Sequence, residues 1–140
     1  MKHIVIILAS LFFNSCCETN NVIRYSMGDV VITRVDECDK SSFYYGEKSS
    51  NESGVIWVEY SGLNDGFKGY LKCQENGKVI LFSGDGYFKT QNLDTTKLEY
   101  KYILAHERPK VGGNVCYINA ATNYEKEDNV LAGSEVKVQY

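Results

Sequence analysis

Two runs of alternating apolar residues meet at Asn76-Gly77, and this arrangement constrains the fold more than any other feature of the chain. Asn-Gly favours a two-residue type I′ turn, because both central residues of that turn need positive φ. The dipeptide therefore predicts an antiparallel hairpin over residues 67–82, with Glu75 opposite Lys78. This register places four side chains on the buried face of the hairpin: Leu71, Cys73, Ile80 and Phe82.

Other segments repeat the same two-residue period. In 98–105 the apolar side chains fall on one side of an extended chain, which a helix would not allow. Comparable runs occur at 29–35, 55–60, 87–90, 114–119 and 135–140. About seven or eight strands of this spacing predict an all-β fold, a single antiparallel β-sandwich, with a small β-barrel as the alternative.

The N-terminus has a different character. A short basic start at residues 1–3 precedes an unbroken apolar run over 4–13, followed at once by polar residues. The run is shorter than the ~20 residues that a permanent transmembrane helix needs. It predicts a signal peptide over residues 1–15. Because the whole chain has only 140 residues, one folded domain is expected after it.

Asn14-Ser15-Cys16 ends this segment and resembles the lipobox of bacterial lipoproteins, in the looser form similar to that of Bacteroidota. The resemblance implies that the Cys16 thiol receives a diacylglycerol, with palmitate among the acyl chains, and that Cys16 becomes the lipidated first residue of the mature protein. The predicted organisation is a signal peptide over 1–15, a lipidated N-terminus and tether over 16–25, and a β-sandwich domain over 26–140. The alternative is an ordinary cleaved signal, with Cys16 as a disulfide partner.

The family's sorting pattern bears on location. An aspartate after the lipidated cysteine retains enterobacterial lipoproteins in the inner membrane, and here that position is Cys17. The resemblance therefore implies a lipid anchor in the outer membrane of the cell envelope, with the domain facing the periplasm or the cell surface. Residues 131–140 also resemble the end of bacterial Ig-like extracytoplasmic domains, which implies a sandwich rather than a barrel.

Five cysteines become four if Cys16 carries lipid. An even number in an oxidising compartment is typical of disulfides, and their pairing stays open. The candidates are Cys17, Cys38, Cys73 and Cys116. No C-x-x-C is present, so thiol ligation of a metal is disfavoured, and neither a metal nor a cofactor is expected.

Charge and chemistry indicate which functions to exclude. The net charge of −3 is unlike that of a nucleic-acid binder. After the signal is removed, His106 is the only histidine, and no nucleophile motif accompanies it, so we expect no enzyme. The acidic stretch 36–39 is interpreted as a solvated turn. Its Asp36 and Glu37 are the candidate carboxylates of the least favoured alternative, a carboxylate-based glycan hydrolase.

Three successive aromatic residues, Phe43, Tyr44 and Tyr45, form the candidate binding surface. In a strand the middle side chain faces away from its two neighbours, so at least one of the two faces is expected to be exposed. The competing interpretation is packing within an edge strand.

These observations predict a lipid-anchored cell-envelope protein that acts as a non-enzymatic binding or structural module. Its expected contacts are the membrane, through the N-terminal lipid, and a protein or glycan partner. A periplasmic inhibitor or immunity protein, directed against a toxin or lysozyme, is the main alternative, because a small acidic domain suits a basic target.

Overall fold

The computed structural model folds the chain into two β-sheets. It describes residues 21–37, 40–49, 51–59, 67–84, 87–104, 114–120, 129–130 and 135–140. These contain β1 (Asn21–Met27), β2 (Val30–Asp36), β3 (Lys40–Tyr45), a 3₁₀ helix (Asn51–Ser53), β4 (Val55–Glu59), β5 (Phe67–Cys73), β6 (Val79–Ser83), β7 (Phe88–Gln91), β8 (Leu98–Tyr102), β9 (Asn114–Ala120), β10 (Asn129–Val130) and β11 (Lys137–Gln139). The predicted signal peptide lies outside the described residues, as do Cys16, Cys17, Cys38 and His106.

The first sheet has six strands in the order β11-β1-β2-β3-β4-β7, and every neighbouring pair is antiparallel. The β1–β2 hairpin turns through Gly28, whose φ of +66° is accessible to glycine at little cost. Alternate residues of β1 then point to one side, and Ile23, Tyr25 and Met27 are all buried. The two-residue period therefore gives this sheet one apolar face.

The second sheet has five strands in the order β10-β9-β5-β6-β8. Its pairs are antiparallel except for β6 and β8, which run parallel, with Val79 opposite Leu98. Between these two strands the chain crosses to the first sheet, forms β7 there and returns. This crossover explains why an otherwise antiparallel sandwich contains one parallel pair.

The two sheets pack face to face and contribute jointly to one hydrophobic core. Phe88 of the first sheet stacks on Tyr100 of the second, with ring centroids 4.3 Å apart. Each sheet keeps two edge strands, so the barrel alternative is wrong and the β-sandwich is confirmed. The strand number was predicted too low, since the described residues alone contain eleven strands.

Strand β1 begins before the domain boundary predicted at residue 26. Residues 21–25, which the sequence analysis assigned to the tether, belong to β1, between β11 and β2. Tyr25 is fully buried, and its neighbours in the sheet are Ile32 and Val138. The segment has the same two-residue alternation as the other strands, with Arg24 and Ser26 between the buried residues.

The β5–β6 hairpin forms as predicted, but its register differs by one residue. Gln74 and Lys78 are linked by a backbone hydrogen bond of 2.8 Å, and the Gly77 amide donates to the Gln74 carbonyl. Among the described residues only Gly77, and not Asn76, has positive φ in this turn. The connection is therefore a three-residue loop with a glycine bulge, not a type I′ turn.

This register moves two side chains of β6 to the other face. Leu71 lies opposite Leu81, and Cys73 lies opposite Val79. Leu71, Leu81 and Val79 are core residues, as the face of Leu71 requires. Ile80 and Phe82, which were predicted to be on this face, lie on the opposite face of the sheet, where Ile80 is nevertheless buried. Cys73, predicted to be buried, is half-buried near the loop.

The sandwich has two ends, and the connections divide between them. We call the end at which β1 begins, at Asn21, the entry end; β2, β4, β6 and β8 finish there. The turn end carries the connections that follow β1, β3, β5 and β7. A hydrogen bond of 3.1 Å from Tyr45 Oη to the Gly77 carbonyl joins the two sheets at the turn end.

Candidate functional site

Asp36, the first residue of the acidic stretch 36–39, does not lie in a solvated turn, so that interpretation is wrong for this residue. Asp36 is only 4% exposed, because it is the last residue of β2 and faces the core. Its Oδ1 accepts hydrogen bonds from Arg34 Nε, at 2.7 Å, and from the Ser41 hydroxyl. Asp39 lies outside the described residues.

Arg34 is the largest fully buried side chain of the described residues. Its Nη1 donates to Tyr25 Oη at 3.1 Å, and its Nε contacts Asp36. A buried guanidinium is costly unless charges and hydrogen bonds compensate it, and this cluster supplies both. Because the cluster has no access to solvent, it suits a structural role rather than contact with a substrate.

The next carboxylate along the chain is already paired. Glu37 lies 2.5 Å from Lys40 Nζ, in a partly exposed ion pair. An acid/base pair for glycan hydrolysis needs two carboxyl groups that both reach the substrate. Since Asp36 is sealed in the core, Asp36 and Glu37 do not fit that requirement.

The predicted aromatic surface divides between two environments. Phe43 is fully buried in the core, so including it in a binding surface is wrong. Tyr45 faces the same side and is half-buried; burial, and secondarily the nearby Cys73, raise the pKa of its hydroxyl. Tyr44 faces the outside of the sheet and is also half-buried. Strand β3 is central rather than at an edge, so the interpretation as an edge strand is also wrong.

Tyr44 shares the outer face of the six-stranded sheet with Trp57. Ser42 lies opposite Trp57, and Tyr44 lies opposite Val55, so the two aromatic residues are diagonal neighbours on β3 and β4. No local sequence pattern distinguishes Trp57 as a site residue. Its position beside Tyr44 depends on the pairing of β3 with β4, which no local pattern specifies.

Two charged residues border these rings. Trp57 Nε1 donates to Glu59 Oε1 at 3.2 Å, and Lys89 Nζ donates to Glu59 Oε2 at 2.8 Å. The hydrogen bonds from Lys89 and Trp57 lower the pKa of Glu59. We call Tyr44, Trp57, Glu59 and Lys89 the aromatic face. It offers half-exposed rings beside a fixed charged pair, a combination that suits sugars and polar protein surfaces.

A groove of about 330 Å³ lies on the same side of the sheet. Arg24 lines it, and the Arg24 Nε donates to the Glu47 carbonyl at 3.2 Å. Arg24 is opposite Thr33, which is opposite Tyr44, so the groove and the aromatic face share one surface. The remaining lining residues are Ser26, Val31, Glu47, Lys48 and Gln139.

Two of the candidate disulfide cysteines, Cys73 and Cys116, are described, and the structure joins neither of them in a disulfide. Cys116 is opposite Leu71, and Cys73 is two residues further along the same face. Such diagonal neighbours lie roughly 7–8 Å apart, beyond the usual Cα separation of a disulfide. Burial raises the pKa of the Cys73 thiol. A bridge between Cys73 and Cys116 is therefore not present in this fold.

Within the described parts of the chain, no group of three or more metal-ligating side chains comes together. No helix among the same residues is long and apolar enough to cross a bilayer.

Comparisons with protein-family models, curated proteins and solved structures found no match. The function must therefore be inferred from the residues and geometry of this chain.

Proposed function

We propose that this chain is a lipid-anchored protein of the bacterial cell envelope, acylated on Cys16, whose β-sandwich acts as a non-enzymatic binding or structural module. The single observation that carries the proposal is Asn14-Ser15-Cys16 directly after a short apolar run. Lipoprotein acylation supplies two or three chains, enough for stable membrane attachment, whereas a single chain binds only marginally.

The position of β1 supports this arrangement. The first strand begins at Asn21, five residues after Cys16. The domain would thus lie close to the proposed anchor. The proposed location is the outer membrane, with the domain facing the periplasm or the cell surface.

The aromatic face is the proposed binding surface. Tyr44 and Trp57 are half-exposed, and the Glu59–Lys89 pair beside them can both accept and donate hydrogen bonds. Glycans are bound by aromatic rings that contact their apolar faces, together with polar groups that contact their hydroxyls. A glycan is therefore the partner that this surface fits best.

The anchor is tested by expressing Cys16→Ala and Cys17→Ala variants with a palmitate analogue. Cys17→Ala is the matched control because it changes the adjacent thiol. We expect Cys16→Ala to lose labelling and to leave the membrane fraction, and Cys17→Ala to keep both. Labelling retained by Cys16→Ala would refute the assignment of the acylated residue.

The binding surface is tested through its own reporter, since Trp57 is the only tryptophan in the chain. Titration with peptidoglycan fragments and envelope polysaccharides should change its fluorescence, and the glycan should be recovered uncleaved. A Tyr44→Ala variant should weaken the response, whereas Tyr70→Ala on the other sheet should not. Cleavage of the glycan would contradict a non-enzymatic role.

A second candidate, an inhibitor or immunity protein, is favoured by the charge of the turn end. Its described connections carry six acidic residues, Asp29, Glu47, Glu52, Glu75, Asp94 and Glu135, and three basic ones, Lys48, Lys78 and Lys97. Such an excess would attract a basic enzyme. A pull-down from envelope extracts should then capture a basic hydrolase or toxin, with capture weakening as salt rises. Capture that is insensitive to both salt and the double variant Glu47→Lys/Glu75→Lys would contradict this candidate.

A further inference from the structure

We propose that the entry end of the sandwich rests on the surface of the lipid bilayer, so that the domain stands on its anchor with the turn end pointing away. This inference rests on the proposed acylation of Cys16. It adds a second contact with the membrane, made by side chains of the folded domain.

The exposed apolar side chains identify this end. Four large hydrophobic residues of the described chain are exposed: Tyr87 (91%), Tyr102 (62%), Leu104 (47%) and Tyr140 (70%). Tyr87 directly precedes β7 at the entry end, and Tyr102 is the last residue of β8, with Leu104 just beyond it. Tyr140 follows β11, which runs from the turn end toward the entry end. None of the four lies in a connection at the turn end.

These residue types suit the boundary between lipid and water. Tyrosine combines an apolar ring with a polar hydroxyl, and it is enriched at the headgroup level of membranes. The burial of apolar surface at this depth supplements a lipid anchor. We call Tyr87, Tyr102 and Leu104 the apolar rim.

The length of chain before β1 restricts which part of the domain can reach the bilayer. Between Cys16 and Asn21 there are five Cα–Cα steps, which span at most about 18 Å. A seven-residue strand is itself about 23 Å long. The segment between Cys16 and Asn21 is therefore too short to run the length of the sandwich, so the turn end cannot reach the membrane that holds the lipid.

Two ion pairs are described at the entry end. Glu37 pairs with Lys40 and Glu59 pairs with Lys89, at 2.5 and 2.8 Å. Paired charges oppose contact with headgroups less than unpaired carboxylates do. The proposed orientation leaves the turn end accessible to a partner, together with Tyr44, which lies opposite Val55 at the start of β4.

The test places single tryptophans in the full-length, acylated protein, reconstituted in phosphatidylethanolamine/phosphatidylcholine vesicles that contain brominated lipid as a quencher. On a Trp57→Phe background, Tyr87→Trp and Tyr102→Trp report on the entry end. Glu75→Trp, in the exposed loop between β5 and β6, is the matched control. We expect several-fold stronger quenching at positions 87 and 102 than at 75.

The outcomes separate the orientation from the anchor. Intact mass and flotation with vesicles show first whether the protein carries lipid. An acylated, vesicle-bound protein with equal or no quenching at the three positions overturns the orientation and leaves the anchor standing. A protein that lacks the acyl mass refutes the anchor, and the orientation with it.

Discussion

Arg34 donates a 2.7 Å hydrogen bond from Nε to Asp36 Oδ1 inside the hydrophobic core, where both side chains are almost completely withdrawn from water. The two residues are on one face of β2, and β3 contributes Ser41 to the same carboxylate. A charged pair thus occupies a position that apolar residues could fill. Hydrogen bonds with Tyr25 of β1 and Ser41 of β3 connect this pair on β2 to both neighbouring strands.

Removing the negative charge of this pair should destabilise the domain strongly. Asp36→Asn leaves the Arg34 guanidinium buried without its counter-ion, and breaking a buried pair in this way costs about 3–5 kcal/mol of unfolding free energy. Urea unfolding measures the loss. The control is Glu37→Gln, which breaks the partly exposed pair with Lys40 and should cost at most about 1 kcal/mol.

The double variant Arg34→Met/Asp36→Leu keeps the test informative if Asp36→Asn fails to fold. Replacing both charges by apolar side chains should restore most of the stability, because no uncompensated charge is then buried. Equal unfolding free energies for Asp36→Asn and Glu37→Gln would contradict the role given to the buried pair.

Gly54 should be far less tolerant of substitution than Gly28. Both have positive φ, +79° and +66°, which L-residues adopt at a cost of roughly 1 kcal/mol. A Cβ on Gly54 would also overlap the backbone of Asn92 and Leu93, whereas nothing lies within 4 Å of one on Gly28. We expect Gly54→Ala to lower the thermal midpoint clearly more than Gly28→Ala. Similar midpoints would contradict the close approach of the two connections at the turn end.

The Cys73 thiol should react slowly in the folded protein, with a displaced pH dependence. Burial disfavours the thiolate and raises its pKa, so at a given pH less of the reactive form is present. Alkylation by iodoacetamide, followed by peptide mapping, should therefore keep accelerating above pH ~8.5, where an unperturbed thiol levels off. Cys116, which is fully buried, should react only on unfolding.

The raised pKa of Cys73 also makes the unfolding free energy depend on pH. The folded state retains the Cys73 proton at a pH at which the unfolded chain loses it, so the unfolding free energy is unaffected below the unfolded pKa and falls as the pH rises above it. Cys73→Ser should remove this part of the pH dependence. A peptide in which Cys73 and Cys116 are joined, found without added oxidant, would contradict the absence of a disulfide between them.

Much of the fold could be predicted from local patterns. The alternation in 55–59 and 79–83 and the Asn76-Gly77 turn predict strands and a hairpin, because side chains of a strand alternate faces wherever one face is buried. The register could not be predicted in the same way. A two-residue and a three-residue loop both suit Asn-Gly. The three-residue loop forms, and it shifts the register so that Ile80 and Phe82 lie on the other face.

The candidate site could be predicted only in part. Tyr44 was identified from a run of aromatic residues, but Trp57 became relevant only when β4 paired with β3. Likewise, Asp36 begins an acidic stretch that is typical of a solvated turn, and Arg34 lies two residues before it in the predicted strand. They lie in the core because Tyr25 and Ser41, from two other strands, supply their hydrogen bonds.

The sequence by itself determined the β-sandwich class, the position of most strands and the lipobox-like segment from which the proposed anchor follows. These depend on residues that are neighbours in the chain. Only the tertiary structure decided that β1 begins at Asn21, that Phe43 is buried while Tyr44 faces outward, and that Tyr87, Tyr102 and Leu104 gather at the end where the chain enters. These relationships join residues far apart in sequence, and strand pairing and the packing of one sheet on the other create them.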